Sequence, residues 1–201
     1  MNPVSLVGLG TSANDAPWDR EGWDMWTMAT NPWTPHADLI FEIHDPWEWY
    51  PFELDARRLN EMGPPVMLQY EMPEVKRGMV YPLEQVIAVG RDYFGSSLAY
   101  MLGLAVLEKR PKIALMGYDM GGQDGYAHQR CNAEYWLGVA EGQGMEIEIL
   151  PGSRLLRLWD SGSDEPGEQS GKKLYGLNGR YGYLLEDSGE GADHGSNGTD
   201  S

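Results

Sequence analysis

The chain has 201 residues, of which 41% are hydrophobic, and 15 Lys+Arg against 31 Asp+Glu give a formal net charge of -16. This is the size of one domain with enough apolar residues to build a core. Such an acidic surface repels phosphate backbones and anionic lipids, which argues against nucleic-acid and membrane-surface partners. No basic residues precede an apolar run at the N-terminus, and no apolar run approaches about 20 residues, so we expect a cytoplasmic protein.

The first predicted unit is a strand at residues 4–7 followed by a glycine turn at residues 8–12. Gly8 and Gly10 allow the backbone to turn tightly and approach a ligand, and the hydroxyls of Thr11 and Ser12 can help to hold an anion. Residue 13 is Ala where the dinucleotide fingerprint has its third glycine, and no P-loop lysine follows. The turn is therefore either a ligand-binding turn or an ordinary turn between a strand and a helix.

The next elements lead to a second polar strand end. Residues 19–28 are predicted to form an irregular helix, with Trp and Met as its apolar contacts. Residues 37–43 are predicted to form the second strand, which ends at His44 and Asp45. An acidic residue in this place often binds ribose hydroxyls, so Asp45 is a candidate ligand residue, although an Asp-Pro pair also simply opens a turn.

A third strand and a strong helix follow a short helix at residues 54–62. Residues 65–70 are predicted as the third strand, and residues 71–89, interrupted by prolines, as a segment that wraps one end of the sheet. The apolar helix at residues 96–109 begins after Gly95. The hydroxyls of Ser96 and Ser97 at its start offer a second anion site, and an ordinary helix cap is the alternative interpretation.

The richest polar segment follows the fourth predicted strand, at residues 112–117. Asp119 lies just past that strand's end, where it could coordinate a cation, accept a ribose hydroxyl or take part in catalysis. His128 is a candidate acid or base, and Arg130 a candidate phosphate ligand. A helix at about residues 130–143 and a last strand at residues 145–150 complete the pattern. Cys131 is predicted to be a small buried residue of that helix.

Alternation of strands and helices with short links predicts an α/β, Rossmann-like three-layer domain with about five mostly parallel strands in the order 3-2-1-4-5. We expect this domain to span residues 1–159. A peripheral extension or hairpin is predicted at residues 160–186, and a disordered acidic tail at residues 187–201, where core-forming residues are lacking.

Three of these segments together carry a resemblance. They are residues 4–12, the Gly95-Ser96-Ser97 helix start, and residues 113–120, Ile-Ala-Leu-Met-Gly-Tyr-Asp-Met. The chain resembles small Rossmann-like proteins of tailed bacteriophages. It is similar, more distantly, to the motility accessory factor family and the bacterial sialyltransferase-like fold. The resemblance implies a nucleotide or nucleotide-sugar pocket formed by Gly8, Gly10, Ser12, Ser96, Ser97 and Asp119, and a host-cytoplasmic location for a phage-encoded chain.

Two functions from different classes remain open on the sequence. The first is a nucleotide- or nucleotide-sugar-binding protein, either a small transferase or a non-catalytic sensor, with its ligand at the carboxyl edge of the sheet. The second is an accessory or structural protein that uses its Trp-rich N-terminal third as a protein interface. No zinc-ligand spacing is present. A divalent cation bound with a nucleotide, and a homo-oligomer, both remain open.

Overall fold

The computed structural model describes residues 1–16, 18, 21–120, 127–150 and 153–156. Within them, seven strands form one sheet in which each neighbouring pair runs parallel. The strand order is β5-β4-β3-β2-β1-β6-β7. The strands are β1 Val4–Val7, β2 Asp24–Met28, β3 Leu39–Glu42, β4 Val66–Leu68, β5 Gly78–Val80, β6 Lys112–Met116 and β7 Glu146–Ile149.

In the part of the chain that the structure describes, four α-helices and four short 3-10 helices accompany these strands. The α-helices are α1 Ala56–Glu61, α2 Leu83–Val89, α3 Ser97–Leu107 and α4 Ala127–Gly142. The 3-10 helices are Thr11–Asp15, Thr34–His36, Pro46–Glu48 and Tyr50–Phe52. The α/β class with a parallel sheet is therefore confirmed.

Two strands were absent from the predicted order. The five predicted strands keep their relative order, but β2 is inserted between β1 and β3, and β5 is added at the edge beyond β4. The helix predicted at residues 19–28 is wrong, because Asp24–Met28 forms β2 and pairs with both neighbours. A short apolar run suits either a buried strand or a buried helix, and the pairing partners that decide between them are distant in the sequence.

Alternate residues of the central strands pack into separate hydrophobic clusters, a large one on one face of the sheet and two smaller ones on the other. On one face, strand side chains pack with α2, α3 and α4 around the fully buried Trp136. The opposite face is covered by α1 and the 3-10 segments instead of long helices. In β1 and β6 the large cluster receives Val4, Leu6, Ile113 and Leu115, and the opposite face receives Val7, Ala114 and Met116. Both faces are covered, which explains the continuous apolar strands.

Arg110 ties the amino end of the sheet to the loop before β6. Arg110 is only 8% exposed. Its guanidinium donates hydrogen bonds to Glu108 Oε2 at 2.7 Å, to the carbonyl of Asn2 at 3.1 Å and to the carboxylate of Asp24. It also lies over the Trp26 ring, 4.9 Å from the centroid. The buried charge is thus held by two carboxylates and an aromatic face.

Replacing Arg110 with Met should lower the free energy of unfolding by about 2 kcal/mol, because charged hydrogen bonds are lost and two carboxylates lose their partner. Urea unfolding followed by circular dichroism measures the loss. Arg57→Met is the matched control: Arg57 also pairs with two acids, Asp55 and Glu61, but its side chain is 73% exposed. That change should cost less than about 0.5 kcal/mol, and equal losses in the two variants would contradict this account.

Met1–Leu156 forms one compact unit, and the predicted boundary at residue 159 stays a prediction. The extension at residues 160–186 and the tail at residues 187–201 lie outside the described residues. Cys131 is exposed on α4, which corrects the prediction that it is buried. None of the helices in the described part of the chain is long and apolar enough to cross a membrane.

Candidate ligand-binding site

A cavity of about 550 Å³ lies at the carboxyl edge of the sheet. Strands run outward from β1 to β5, and the chain then returns to β6 on the other side of β1. Open α/β sheets bind ligands at such a reversal, and small-molecule sites measure about 300–1,000 Å³. The described residues that line it come from strand ends and helix starts: Leu9, Gly10, Met28, His44, Gly95, Ser96, Ser97, Leu98, Gly117, Tyr118, Asp119, Met120 and Gln129.

The turns after β1 and β6 pack directly against each other, and we call this contact the β1–β6 joint. Gly8 N donates to Met116 O at 2.7 Å, and Gly10 N donates to Gly117 O at 2.8 Å. Ser12 Oγ accepts a hydrogen bond from Gly117 N at 2.8 Å. A Cβ on Gly8 would lie 2.4 Å from Gly117 O. The glycine turn therefore has a structural task in addition to the ligand contact predicted for it.

Asp119 lies directly over the glycine turn and lines the cavity. A Cβ on Gly10 would lie 2.5 Å from Asp119 Oδ2, so the carboxylate in this position occupies the space that a side chain at residue 10 would need. The Ser12 hydroxyl is 3.5 Å from Asp119 Oδ1, and Arg154 N donates to the Asp119 carbonyl at 3.0 Å. The carboxylate is half-buried. It is therefore placed to accept ligand hydroxyls or to coordinate a cation carried by a ligand.

The amino end of α3 forms another wall of the cavity. Ser96 is the cap residue, and its Oγ accepts a hydrogen bond from Ala99 N at 3.3 Å. Ser97 and Leu98 belong to the first turn, where backbone N–H groups have no carbonyl partner within the helix. Such a helix start attracts anions. Gly95 lets the segment approach α4, because a Cβ there would lie 1.9 Å from Asn132 Oδ1.

His44 brings an ionisable ring to the cavity from the end of β3. Its Nδ1 lies 2.7 Å from Glu42 Oε1, and its backbone N donates to the same oxygen at 3.1 Å. The Glu42 side chain is 3% exposed, whereas that of His44 is 49% exposed. The hydrogen bond to Glu42 raises the pKa of His44 against the opposing effect of burial, and the charges of Glu42 and Glu48 raise it further. The pair is a carboxylate-oriented imidazole at the edge of the cavity.

Among the residues predicted from the sequence, four line the cavity: Gly10, Ser96, Ser97 and Asp119. Gly8 and Ser12 lie in the β1–β6 joint beside them. The ligand roles of these residues stay predictions, but the structure brings three separate parts of the chain to one place.

Four other predicted residues are outside the lining of this cavity. Thr11 is exposed, and so is His128. Asp45 caps the following 3-10 helix, and its Oδ1 accepts the Tyr70 hydroxyl at 3.1 Å. Arg130 Nε bonds to Glu134 Oε1 at 2.6 Å. Their proposed roles in catalysis or ligand binding also stay predictions.

Sequence reasoning did not select His44 or Gln129, both of which line the cavity. The sequence analysis names His44 as part of a strand end and selects its neighbour Asp45 as the candidate ligand residue. The available signal was Glu42, a charged residue within an otherwise apolar strand that is buried throughout. A buried carboxylate needs a partner, and the ring two residues further on supplies it.

The tryptophans of the N-terminal third divide between core and surface. Trp26 and Trp49 are 2% and 4% exposed, whereas Trp47 is 75% exposed. Trp18 and Trp33 stack with ring centroids 6.3 Å apart. The region therefore serves partly as a cover over the sheet and partly as an aromatic surface.

The described lining of the cavity is poor in cationic side chains. Across the lining residues that the structure describes there is no lysine or arginine. No three His, Cys, Asp or Glu side chains of the described segments cluster as metal ligands would. The sources of positive potential on the wall are thus the amino end of α3 and, when protonated, His44.

No protein-family model matches the sequence, and no curated protein matches it. The chain is similar to the solved structure of the sialyltransferase CstII from Campylobacter jejuni with the substrate analogue CMP-3FNeuAc, at 12% identity, covering 77% of this chain and 83% of that one, with a TM-score of 0.48. A second structure of that protein, with cytidine-5'-monophosphate, matches at 12% identity over 76% of this chain and 81% of that one, with a TM-score of 0.46.

Proposed function

We propose that the protein binds a nucleotide or nucleotide sugar in the cavity at the carboxyl edge of its sheet and acts as a small transferase. The proposal is carried by the fact that three separate segments of the chain meet at one cavity. The glycine turn after β1, the carboxylate after β6 and the amino end of α3 line one cavity of about 550 Å³ at the reversal of strand order. A cytoplasmic location and a phage origin remain expectations from the sequence.

The wall chemistry suits the parts of such a ligand. The first turn of α3 offers N–H groups to a phosphate, and the Asp119 carboxylate can accept hydroxyls of a ribose or sugar ring. The side chains of Leu9, Met28 and Met120 supply apolar contact for a base. A ligand with an anionic centre, hydroxyl groups and a flat apolar part matches all three features.

A thermal-shift panel of nucleoside monophosphates, nucleoside diphosphates and nucleotide sugars, each with and without Mg²⁺, tests the proposal on the full chain. A ligand at 100 times its Kd stabilises the folded state by about 2.7 kcal/mol, which raises the melting temperature by several degrees. Transfer is then assayed with the binding nucleotide sugar, by release of its nucleotide. A panel in which no compound raises the melting temperature would reject the proposal.

Asp119→Asn should weaken binding of the nucleotide found in this panel by about 10- to 100-fold, because a charged acceptor for ligand hydroxyls or a cation is lost. The side chain keeps its size, so the fit over Gly10 and the melting temperature of the free protein should change little. Isothermal titration calorimetry measures the affinity.

Asp55→Asn is the matched control for this experiment. It removes the same charge, and asparagine can still cap α1, where Asp55 accepts a hydrogen bond from Arg58 N. Its nucleotide affinity should equal that of the wild type. Tighter binding by Asp119→Asn would show that Asp119 only repels the anion and has no binding role.

A protein-interface function is a second candidate, favoured by one observation. Trp47, Tyr50 and Phe52 are 75%, 88% and 54% exposed on consecutive turns after β3. Exposed aromatic groups of this kind are frequent in protein interfaces. Light scattering at rising protein concentration, with wild type and Trp47→Ala, would test self-association through this surface.

A further inference from the structure

We propose that His44, held by buried Glu42, is the cation that recognises the phosphate of the nucleotide ligand. This inference rests on the proposed function and names the residue through which the same cavity would select a phosphorylated ligand over a bare nucleoside. His128, the histidine that sequence reasoning selected, is exposed and lies outside the lining.

The geometry of the pair determines which ring nitrogen is available. Glu42 is 3% exposed, and its Oε1 lies 2.7 Å from His44 Nδ1. A carboxylate can only accept a hydrogen bond, so Nδ1 carries the hydrogen atom. The second ring nitrogen, Nε2, remains for a ligand. When the ring is protonated, Nε2 becomes a charged donor, which is the group that a phosphate oxygen binds most strongly.

Protonation of His44 changes the net charge that an entering phosphate meets. With a neutral ring, the Glu42 carboxylate is an uncompensated negative charge beside the space that a phosphate would enter, and Asp119 adds another from the β6 side. Protonation of His44 cancels the charge of Glu42. Because no lysine or arginine is present in the lining as described, the imidazolium is the cationic side chain that this described lining offers to an entering anion.

Nearby groups favour the protonated ring. Glu42 accepts from the ring, and Glu48, on the 3-10 helix after β3, adds a further negative charge; both raise the pKa of His44. Tyr118 also lines the cavity, but burial raises the pKa of its hydroxyl, so it stays neutral through the physiological range. Above the pKa of His44, a phosphate bound there would bind together with a proton, so affinity should fall as pH rises past that pKa.

The probe is the nucleotide sugar with the largest melting shift among UDP-glucose, UDP-N-acetylglucosamine, GDP-mannose and CMP-N-acetylneuraminate. Phosphodiester and pyrophosphodiester groups do not titrate near neutral pH, so the ligand charge stays constant. Calorimetric affinity is measured from about pH 5.5 to about pH 8.5, on both sides of the ordinary histidine value. The wild type should lose affinity with rising pH, at a limiting rate of about tenfold per pH unit.

His44→Asn should weaken binding of this probe by about 10- to 100-fold at about pH 6 and remove the pH dependence. Binding of the parent nucleoside, uridine, guanosine or cytidine, should be unchanged. Glu42→Gln should move the fall in affinity to lower pH, because the ring loses the charge that raises its pKa. If His44→Asn does not fold with Glu42 unpaired, the double variant Glu42→Gln/His44→Asn removes both charges. It should bind the probe more weakly than the wild type and without pH dependence, because the charged donor is lost, but its loss should be smaller than that of a single variant that keeps the Glu42 charge.

His36→Asn is the matched control, because His36 is an exposed histidine that packs against Trp33 and is not in the lining. Its affinity and pH profile should match the wild type. A flat wild-type profile, an unchanged affinity in His44→Asn, or an equal loss of nucleoside and nucleotide-sugar binding would each overturn the inference while leaving the proposed function intact. Failure of every nucleotide and nucleotide sugar to bind would reject both.

Discussion

Replacing Trp136 with alanine is expected to lower the free energy of unfolding by about 3–5 kcal/mol, the usual cost of emptying a large aromatic site in a core. Trp136 is fully buried, and its Nε1 donates to the Tyr93 carbonyl at 3.0 Å. Its ring stacks on Phe94 with centroids 5.2 Å apart. Alanine would therefore leave a cavity and an unpaired carbonyl together.

The same substitution should also reduce nucleotide binding. Tyr93 and Phe94, which Trp136 contacts, immediately precede Gly95 and the amino end of α3. A loosened segment would present the first turn of α3 less uniformly to a ligand.

Urea unfolding followed by far-ultraviolet circular dichroism measures the stability of Trp136→Ala without using tryptophan fluorescence. Trp47→Ala is the matched control, since Trp47 is 75% exposed, and surface substitutions usually stay within about 0.5 kcal/mol. A loss below about 1.5 kcal/mol for Trp136→Ala would be smaller than core tryptophans give and would contradict the described packing.

Gly8→Ala is the second substitution with a large expected effect. The alanine Cβ at residue 8 would lie 2.4 Å from Gly117 O and 2.9 Å from Gly117 C. Both are backbone atoms, which no rotamer change can move. The turns of the β1–β6 joint must then separate. We expect a loss of about 1–3 kcal/mol in the free energy of unfolding and the disappearance of the nucleotide-induced melting shift, because Gly10 and Asp119 would move with their turns.

Gly138→Ala is the control for the glycine change itself. Gly138 lies in α4, and a Cβ there meets nothing within 4 Å. Alanine favours a helix over glycine by about 1 kcal/mol, so this variant should be slightly more stable than the wild type. Urea unfolding measures the stability of both variants, and the thermal-shift assay measures their response to the nucleotide. A Gly8→Ala variant with wild-type stability and ligand response would show that the β1–β6 joint is not needed.

Most of the strands that the sequence predicted are apolar runs that can be recognised from their own residues. Lys112–Met116 and Leu39–Glu42 are apolar runs between clear turns, and a parallel sheet buries both faces of such strands. The edge strand β5 has three residues, all exposed, and its formation depends on pairing with β4. Its short sequence carries no periodic pattern that predicts a strand.

The candidate site could be predicted in part for a topological reason. Carboxyl ends of parallel strands share one edge of the sheet, so polar residues after β1 and β6 are expected to meet there. Gly10 and Asp119 do so, together with the start of α3. The His44–Glu42 pair could not be selected in the same way, because its importance comes from the burial of Glu42 and from the absence of lysine and arginine in the described lining.

The sequence by itself determined the α/β class, the relative order of five strands, and three of the chain segments that line the cavity. The class and the segments follow from local patterns of apolar runs, helix caps and turns, which depend on neighbouring residues. The relative order of those five strands follows from the general rules for connecting parallel strands. Only the tertiary structure decided that residues 24–28 form a strand, that Gly8 serves close packing between two turns, and that His44 enters the cavity with a buried carboxylate behind it. Strand pairing, steric fit and desolvation each depend on atoms that are distant in the chain, so local sequence patterns could not predict them.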